Sequence, residues 1–422
     1  MDKREPHVVV VGAGFGGIMV ARNLAGTRAR VTVIDRANHH LFQPLLYQVA
    51  TAALSPANIA APIRDILRRQ PNAEVFLAEV VGVDMQAKCV LLRDADPIPW
   101  DYLILAPGTR YNYFGHDEWE RDAPSLKTLS DAVSIRQDIL LAFEAAEMER
   151  DPERRKALLT FALVGGGPTG VELAGSLAEL AQRAMRQDFR HIRPSETRIL
   201  LLEAAPRILS MFPDKLALAA ERALERLGVE VRTGAKVESV EPGAVVVSGE
   251  HIPCSTVLWT AGVVAAVPIG KWLGVETDRI GRIAVAPDLS VPGHPNVFVI
   301  GDAAHVEHEG QPLPGVAPVA MQQGRYVAKL IRARMDGKPI EPFRYHDKGN
   351  LATVGRSFAI LDLGRLKLSG FIAWVLWLWI HIWYLIGFRN KISVFIQWAW
   401  AYITWQRSAR LITGPIPAPG KR

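Results

Sequence analysis

Two glycine-rich runs, residues 12–17 (GAGFGG) and 165–170 (GGGPTG), constrain this 422-residue chain more than any other feature. Each follows a short β-branched stretch, residues 7–11 and 160–164, and each leads into an alanine- and leucine-rich helical pattern. Strand, glycine turn and helix in that order form the context in which such a run binds a dinucleotide. The first glycine permits the turn, the second admits backbone amides to a pyrophosphate, and the third lets the helix pack close to its strand. The phosphate then rests on the positive end of the helix. Two such units predict two bound dinucleotides and electron transfer between them.

A glycine run alone is weak evidence, because ordinary turns also cluster glycine. Here each run has its acid. Residues 30–35 (RVTVID) end in Asp35, close to the expected spacing of about 20 residues, and residues 198–203 (RILLLE) end in Glu203 after a longer helix. A carboxylate at a strand's C-terminal end accepts both hydrogen bonds of a ribose diol and repels a 2′-phosphate. FAD or NAD(H), and not NADP(H), is therefore expected at each site.

The remaining chemistry-bearing residues exclude several classes. The two cysteines, Cys89 and Cys254, are far apart and form no CxxC, so no resident dithiol is expected. The eleven histidines offer only His305 with His308 in a turn-like sequence, which reads as a solvated loop, and no metal site is expected. Residues 1–6 are polar and run straight into a buried-type strand, which predicts no secretory leader and a cytoplasmic start.

Charge is unevenly placed. Residues 363–422 contain eight Lys and Arg and no Asp or Glu, whereas residues 1–362 hold 41 basic against 43 acidic groups. Seven of the eleven tryptophans lie in the same tail: Trp374, Trp377, Trp379, Trp383, Trp398, Trp400 and Trp405. Basic, apolar and tryptophan-rich together point to a lipid surface rather than to nucleic acid. The tail divides around Arg389, Asn390 and Lys391. Residues 392–405 are amphipathic as a helix, with Arg389, Ser393, Gln397, Thr404 and Arg407 near one stripe and Ile392, Phe395, Ile396, Ala399 and Ile403 away from it. Residues 371–388 are apolar apart from His381, and eighteen helical residues reach about 27 Å. Tryptophans recur along the whole stretch instead of gathering at its ends, which favours monotopic attachment over a span. A span and a homodimer seam remain open as alternatives.

Between these landmarks, residues 74–83 and 89–92 suggest a small antiparallel insertion, and residues 100–106 (WDYLILA) a buried strand. The chain is expected to cross to a second domain near residues 122–126 and to return with the buried strand of residues 296–302 (NVFVIGD). A helix is expected over residues 318–332, with Pro318 in its first turn.

These residues carry a family resemblance. The two fingerprints with residues 106–108 (APG), 260–262 (TAG) and 299–302 (VIGD) resemble the two-dinucleotide-binding flavoproteins. Residues 41–51 (LFQPLLYQVAT), 317–324 (APVAMQQG) and 380–400 (IHIWYLIGFRNKISVFIQWAW) resemble, more narrowly, the type II NADH dehydrogenases, single-subunit NADH:quinone oxidoreductases of the respiratory chain that do not pump protons. The resemblance implies an α/β fold of two Rossmann-like domains. An FAD domain of residues 1–121 and 285–345 encloses an inserted NADH domain of residues 122–284, and residues 346–422 form an amphipathic helical membrane-anchoring region.

The resemblance also implies roles. Gly12, Gly14, Gly17, Asp35, Gln48, Thr51, Gly108, Asp302 and Ala317 are expected around FAD, and Gly165, Gly167, Gly170, Glu203 and Gly262 around NADH. Glu172 is expected near the reacting rings, positioning the nicotinamide or passing a proton toward quinone; its plain alternative is an acid favoured by the helix dipole. Gln322 corresponds to the second glutamine of the family's quinone motif, while the first is replaced by Pro318, which donates nothing. The implied partners are NADH, a membrane quinone, a bilayer surface at the cytoplasmic face of the cell (inner) membrane and a second copy in a homodimer. Two rival readings are a sulfide:quinone oxidoreductase-like enzyme, which requires a cysteine pair, and a membrane-associated NADH-sensing flavoprotein.

Overall fold

In the computed structural model, which describes residues 5–404, 407 and 409–414, the first fingerprint opens a doubly wound sheet. Trp405, Lys421, Arg422 and residues 1–4 of the sequence reading lie outside the described residues. Strand β1 (His7–Val11) is buried along its length, helix α1 (Phe15–Asn23) follows the glycine turn, and β2 (Arg30–Asp35) returns parallel to β1. After the short helix α2 (Leu46–Ala50), the chain adds β3 (Ala73–Leu77) beside β2 and β4 (Tyr102–Leu105) beside β1, both parallel. A three-stranded antiparallel insertion, Val80–Asp84, Cys89–Leu92 and Ala95–Pro99, separates these two strands. The apolar continuity of β1 and β4 is what a parallel strand covered on both faces requires.

The second fingerprint repeats the plan. Helix α3 (Leu129–Met148) starts from a capping box in which Thr128 and Asp131 satisfy each other's backbone amides. Strand β5 (Thr160–Val164), helix α4 (Pro168–Glu179), and strands β6 (Arg198–Glu203), β7 (Val229–Thr233) and β8 (Thr256–Trp259) follow. They form an all-parallel sheet in the order β7-β6-β5-β8. Helix α4 ends in a single π-type turn, Leu180–Ala184.

The chain then completes the first sheet with β9 (Ser290–Val291) and β10 (His294–Val299), giving the order β9-β10-β4-β1-β2-β3. Helix α5 (Ala317–Met335) packs on α1 so closely that a Cβ at Gly324 would collide with the Gly16 carbonyl.

The C-terminal part is a three-stranded antiparallel sheet, β11 (Asn350–Thr353), β12 (Ala359–Leu363) and β13 (Leu366–Gly370), followed by α6 (Phe371–Tyr384) and α7 (Phe388–Thr404). The two helices divide earlier than the sequence suggests. Gly387, at φ +90°, makes the turn, and Arg389, Asn390 and Lys391 lie inside the first turn of α7 rather than between helices. Among the described residues no helix is long and apolar enough to cross a membrane.

The chain forms two compact units. One contains Met1–Leu41, Ala61–Arg110 and Val263–Lys348; the other contains Phe42–Ala60, Tyr111–Gly262 and Gly349–Arg422. The chain passes between these units at residues 110–111 and 262–263. Residues 349–422 and the segment 42–60 both belong to the second unit. The reason is packing: Asn58 donates to Ser393 Oγ at 2.9 Å, and Asn390 donates to the Ala60 carbonyl.

Candidate functional site

In the first unit the glycine turn leaves a cradle. Gly12 sits at φ +96° with the Ala106 carbonyl where a side chain would be, so only glycine fits. Gly14, the N-cap of α1, has open space above its Cα and no side-chain cap on the helix amides behind it. A Cβ at Gly17 would collide with the Gly12 carbonyl, which holds α1 tight on the turn. Asp35 anchors the far side by accepting from Ala13 N at 2.6 Å and Ala37 N at 2.8 Å. Uncapped amides, an open glycine and an acid at the adjoining strand end fit an adenine dinucleotide.

The rest of this unit's candidate residues flank α5. Gly108, at φ +72°, turns the chain after β4, and Thr109 Oγ1 donates to Asp302 Oδ2 at 3.2 Å. Ala317 starts α5, with Pro318 in its first turn and no side-chain cap at Val316. Gln322 Nε2 donates to the His346 carbonyl at 2.9 Å, and its Oε1 accepts from His346 N at 3.0 Å. The next residue, Gln323, is buried, accepts from Gly301 N at 2.6 Å, and keeps an Nε2 without a partner among the described residues.

In the second unit the same design recurs. Gly165 adopts φ +111° against the backbone of Ala261, Gly167 opens onto free space as the uncapped N-cap of α4, and a Cβ at Gly170 would collide with the Gly165 carbonyl. Glu203 accepts from Gly166 N at 2.5 Å and Ala205 N at 2.7 Å, the counterpart of Asp35. Gly262 follows β8 and lies under the Phe114 ring, which is 62% exposed.

Helix α4 also carries three polar residues, Glu172, Ser176 and Glu179, at spacings that share one face. All three are buried. Among the described residues Glu172 accepts only a long 3.4 Å contact from Thr353 N, and burial pushes its carboxyl up to about 8. The helix dipole, which favours an anion near this end, therefore loses to desolvation. Glu179 is paired instead. It accepts from Arg407 Nη2 at 3.2 Å and from Arg356 N; burial still raises its pKa, with Arg407 opposing. Arg407 also donates to the carbonyls of Thr51 at 2.9 Å and Ser176 at 3.0 Å.

Residues of α2 complete the cluster. Thr51 Oγ1 and Ser176 Oγ lie 2.6 Å apart, Gln48 Nε2 donates to Tyr47 Oη at 2.9 Å, and Trp398 Nε1 of α7 donates to Gln48 Oε1 at 2.7 Å. Trp398 stacks toward Trp377 at 5.4 Å between ring centroids, and Trp377 lies 4.2 Å from His381. Gln48, Thr51 and Glu172 thus come together in one unit. Tyr47, Glu179, Trp398 and the pairing of Arg407 were missed from sequence. Their only signal was that polar residues recur on α4 at positions 172, 176 and 179.

Cys254 is buried, and desolvation pushes its thiol up to about 12, far from a nucleophile's range. His305 is engaged by Asp278 and Glu307. Among the described residues no group of three His, Cys, Asp or Glu is arranged to hold a metal.

Residues 6–324 match the family model of the pyridine nucleotide-disulphide oxidoreductases, which is the class that the paired cradles define. The chain is 44% identical over 425 residues to the type II NADH:quinone oxidoreductase Ndh of Mycobacterium tuberculosis, covering 97% of this chain and 91% of that one. It is equally similar to NdhA of the same organism, over 96% and 89% of the two chains. Its fold is similar to that of NDH2 from Plasmodium falciparum, with a TM-score of 0.88 at 20% identity over 97% of this chain and all of that one. The chain belongs to the type II NADH:quinone oxidoreductases.

Proposed function

We propose that the chain oxidises NADH at the second unit's cradle and reduces a membrane quinone, with FAD held at the first unit's cradle. The observation that carries this reading is the duplicated design: two uncapped helix N-termini, each beside an open glycine and each with a carboxylate at the adjoining strand end. Bound FAD supplies the two-electron carrier between the hydride donor and the quinone. Gly12, Gly14, Gly17 and Asp35 hold its adenosine and phosphates, and Asp302, Gly108 and the start of α5 at Ala317 attend the rest. Gly165, Gly167, Gly170, Glu203 and Gly262 hold NADH, with Glu203 excluding a 2′-phosphate.

Glu172 keeps a proton at neutral pH and is the proton reserve for quinone reduction. Gln48 and Thr51 order the surrounding cluster. Gln322 braces the His346 backbone. The FAD domain is residues 1–121 with 285–345, the NADH domain residues 122–284, and residues 346–422 form the membrane-attaching region.

Attachment follows from the polarity of the last two helices. Phe371, Ile372, Trp379 and Trp383 of α6, and Ile392, Phe395, Ile396, Trp400 and Ile403 of α7, are exposed. Ser393 and Trp398 meanwhile hydrogen-bond to the unit that carries them. A polar face turned inward and an apolar face turned outward suit a helix lying in the lipid interface. The enzyme attaches monotopically at the cytoplasmic face as a homodimer and does not pump protons.

Anaerobic mixing of the detergent-purified, flavin-loaded protein with one equivalent of NADH, and separately NADPH, tests this reading. NADH alone should bleach the flavin, and a short-chain quinone should restore it rapidly. Failure to bleach removes the hydride-donor role; recovery taking minutes favours the sensing reading.

A further inference from the structure

On the reading above, the second unit's cradle takes the adenosine diol at Glu203, the end of β6, and the pyrophosphate at the glycine turn after β5. In the strand order β7-β6-β5-β8, the other nucleoside continues past β5 on the side away from β6, over the end of β8. That end is tied to the turn: Thr260 N donates to the Val164 carbonyl at 2.8 Å, and Thr260 Oγ1 donates to the Gly165 carbonyl at 3.1 Å. Over it lies Phe114. Trp259 Nε1 donates to the carbonyls of Asn112 and Ala261 at 3.0 and 2.9 Å, and Asn112 Oδ1 accepts from Phe114 N at 2.8 Å. Tyr113 is buried against Trp259, with ring centroids 5.1 Å apart. Phe114 then takes φ +55°, a left-handed conformation that strains a phenylalanine, and its ring rests on Gly262. A Cβ on Gly262 would come within 2.5 Å of that ring. Outside α6 and α7, Phe114 is the most exposed aromatic among the described residues. Packing does not account for a strained backbone that holds an apolar ring in water, and such strain clusters where ligands bind.

We propose that Phe114 is a binding residue for NADH: its ring covers the nicotinamide ribonucleotide over the end of β8, and residue 262 is glycine so that the ring can lie there. The proposal deepens the assignment of NADH to the second unit and rests on it. Reduced nicotinamide is a flat, uncharged ring, and a phenyl group offers it an apolar partner of similar size. Their contact removes both surfaces from water, which offsets the strain at Phe114. Phe114 touches the half of the dinucleotide that ADP lacks. Its contribution is therefore confined to the complete ligand, while Glu203 and the glycine turn serve the half that both share.

The test uses the full-length holoenzyme and two redox-inert probes. One is 1,4,5,6-tetrahydro-NAD, which has the shape of NADH but yields no hydride; the other is ADP, which has the adenosine and pyrophosphate alone. Dissociation constants come from titration calorimetry, with melting temperatures measured alongside. Phe114→Asn should weaken tetrahydro-NAD at least about five-fold, as loss of an aromatic contact does, and leave ADP within about two-fold. Asparagine tolerates a positive φ, so the melting temperature should hold or rise. Phe114→Tyr keeps the ring and should bind tetrahydro-NAD within about two-fold of wild type. The proposal is overturned if Phe114→Asn binds tetrahydro-NAD as wild type does, or if Phe114→Tyr is as weak as Phe114→Asn. Equal loss of both probes in Phe114→Asn, the mark of a merely structural role, overturns it too. Wild type that binds neither probe overturns the underlying reading instead.

Discussion

At the scale of single residues, two carboxylates of the second unit, Glu203 at the end of β6 and Glu172 on α4, meet different surroundings. Glu203 accepts two backbone amides, whereas Glu172 has one long contact in a dry setting. With its pKa near 8, Glu172 is protonated at neutral pH, so quinone reduction should decline as pH rises through about 8. Glu172→Gln should flatten that inflection, as measured by steady-state rates from pH 6 to 9.5. The same group shapes stability. The folded state keeps the Glu172 proton up to about 8, and the unfolded chain releases it near 4.5, so Glu172 weakens the fold progressively as pH climbs between those values. The slope is about 1.4 kcal/mol per pH unit inside that window. Denaturant titrations at pH 5.5 and 7.5 should show Glu172→Gln gaining on wild type by roughly 2 to 3 kcal/mol. Removing the Glu203 charge by Glu203→Gln should raise the NADPH-to-NADH ratio of kcat/KM at least about ten-fold. A unit charge at about 4 Å is worth roughly 4 kcal/mol at an effective dielectric of 20, so even partial relief suffices.

At the scale of elements, the C-terminal helices are joined to their unit by polar contacts and end in a buried ion pair. Arg407→Met should leave Glu179 buried with Arg356 as its remaining cationic neighbour, at a cost of about 3–5 kcal/mol in chemical denaturation. Adding Glu179→Gln should recover much of that loss, since the cost lies in the unpaired charge rather than in the missing bridge. The amphipathic stripe of α7 was readable from sequence, but a stripe does not reveal which side faces the protein. A soluble fold would bury Ile392, Phe395 and Ile396; here Val394 and Trp398 turn inward instead. Tyr47 and Gln48 were hidden for a related reason. In LFQPLLYQVAT they read as packing around a flavin, and only the return of α7, over 340 residues later, gives the amide its partner.

At the scale of the whole molecule, the nucleotide-binding plan was legible because it is local: a strand, a glycine turn and an acid within one βαβ segment. Each fingerprint follows a strand paired in parallel with its neighbour, with Asp35 and Glu203 at the ends of those neighbours. The partition was less legible, because it depends on which distant segments pack together. Phe42–Ala60 and Gly349–Arg422 share a unit through contacts such as Asn58 with Ser393, which no periodicity announces. A deletion from residue 371 should therefore do more than release the protein from lipid: it strips Trp398 from Gln48 and Arg407 from Glu179, and the truncated chain should melt well below the intact one. A double change, Ile396→Ser with Ile403→Ser, is the cleaner probe. Each large side chain contributes about 1.5–3 kcal/mol when buried, so vesicle co-sedimentation should weaken at least about ten-fold while the melting temperature holds.

The inward-facing polarity of α7 also separates two properties that are usually entangled. Its hydrogen bonds to the unit, through Ser393 and Trp398, lie apart from Ile392, Phe395, Ile396, Trp400 and Ile403, which face outward. The outward set can be rewritten in polar residues as a coating, yielding a detergent-free enzyme whose interior is untouched.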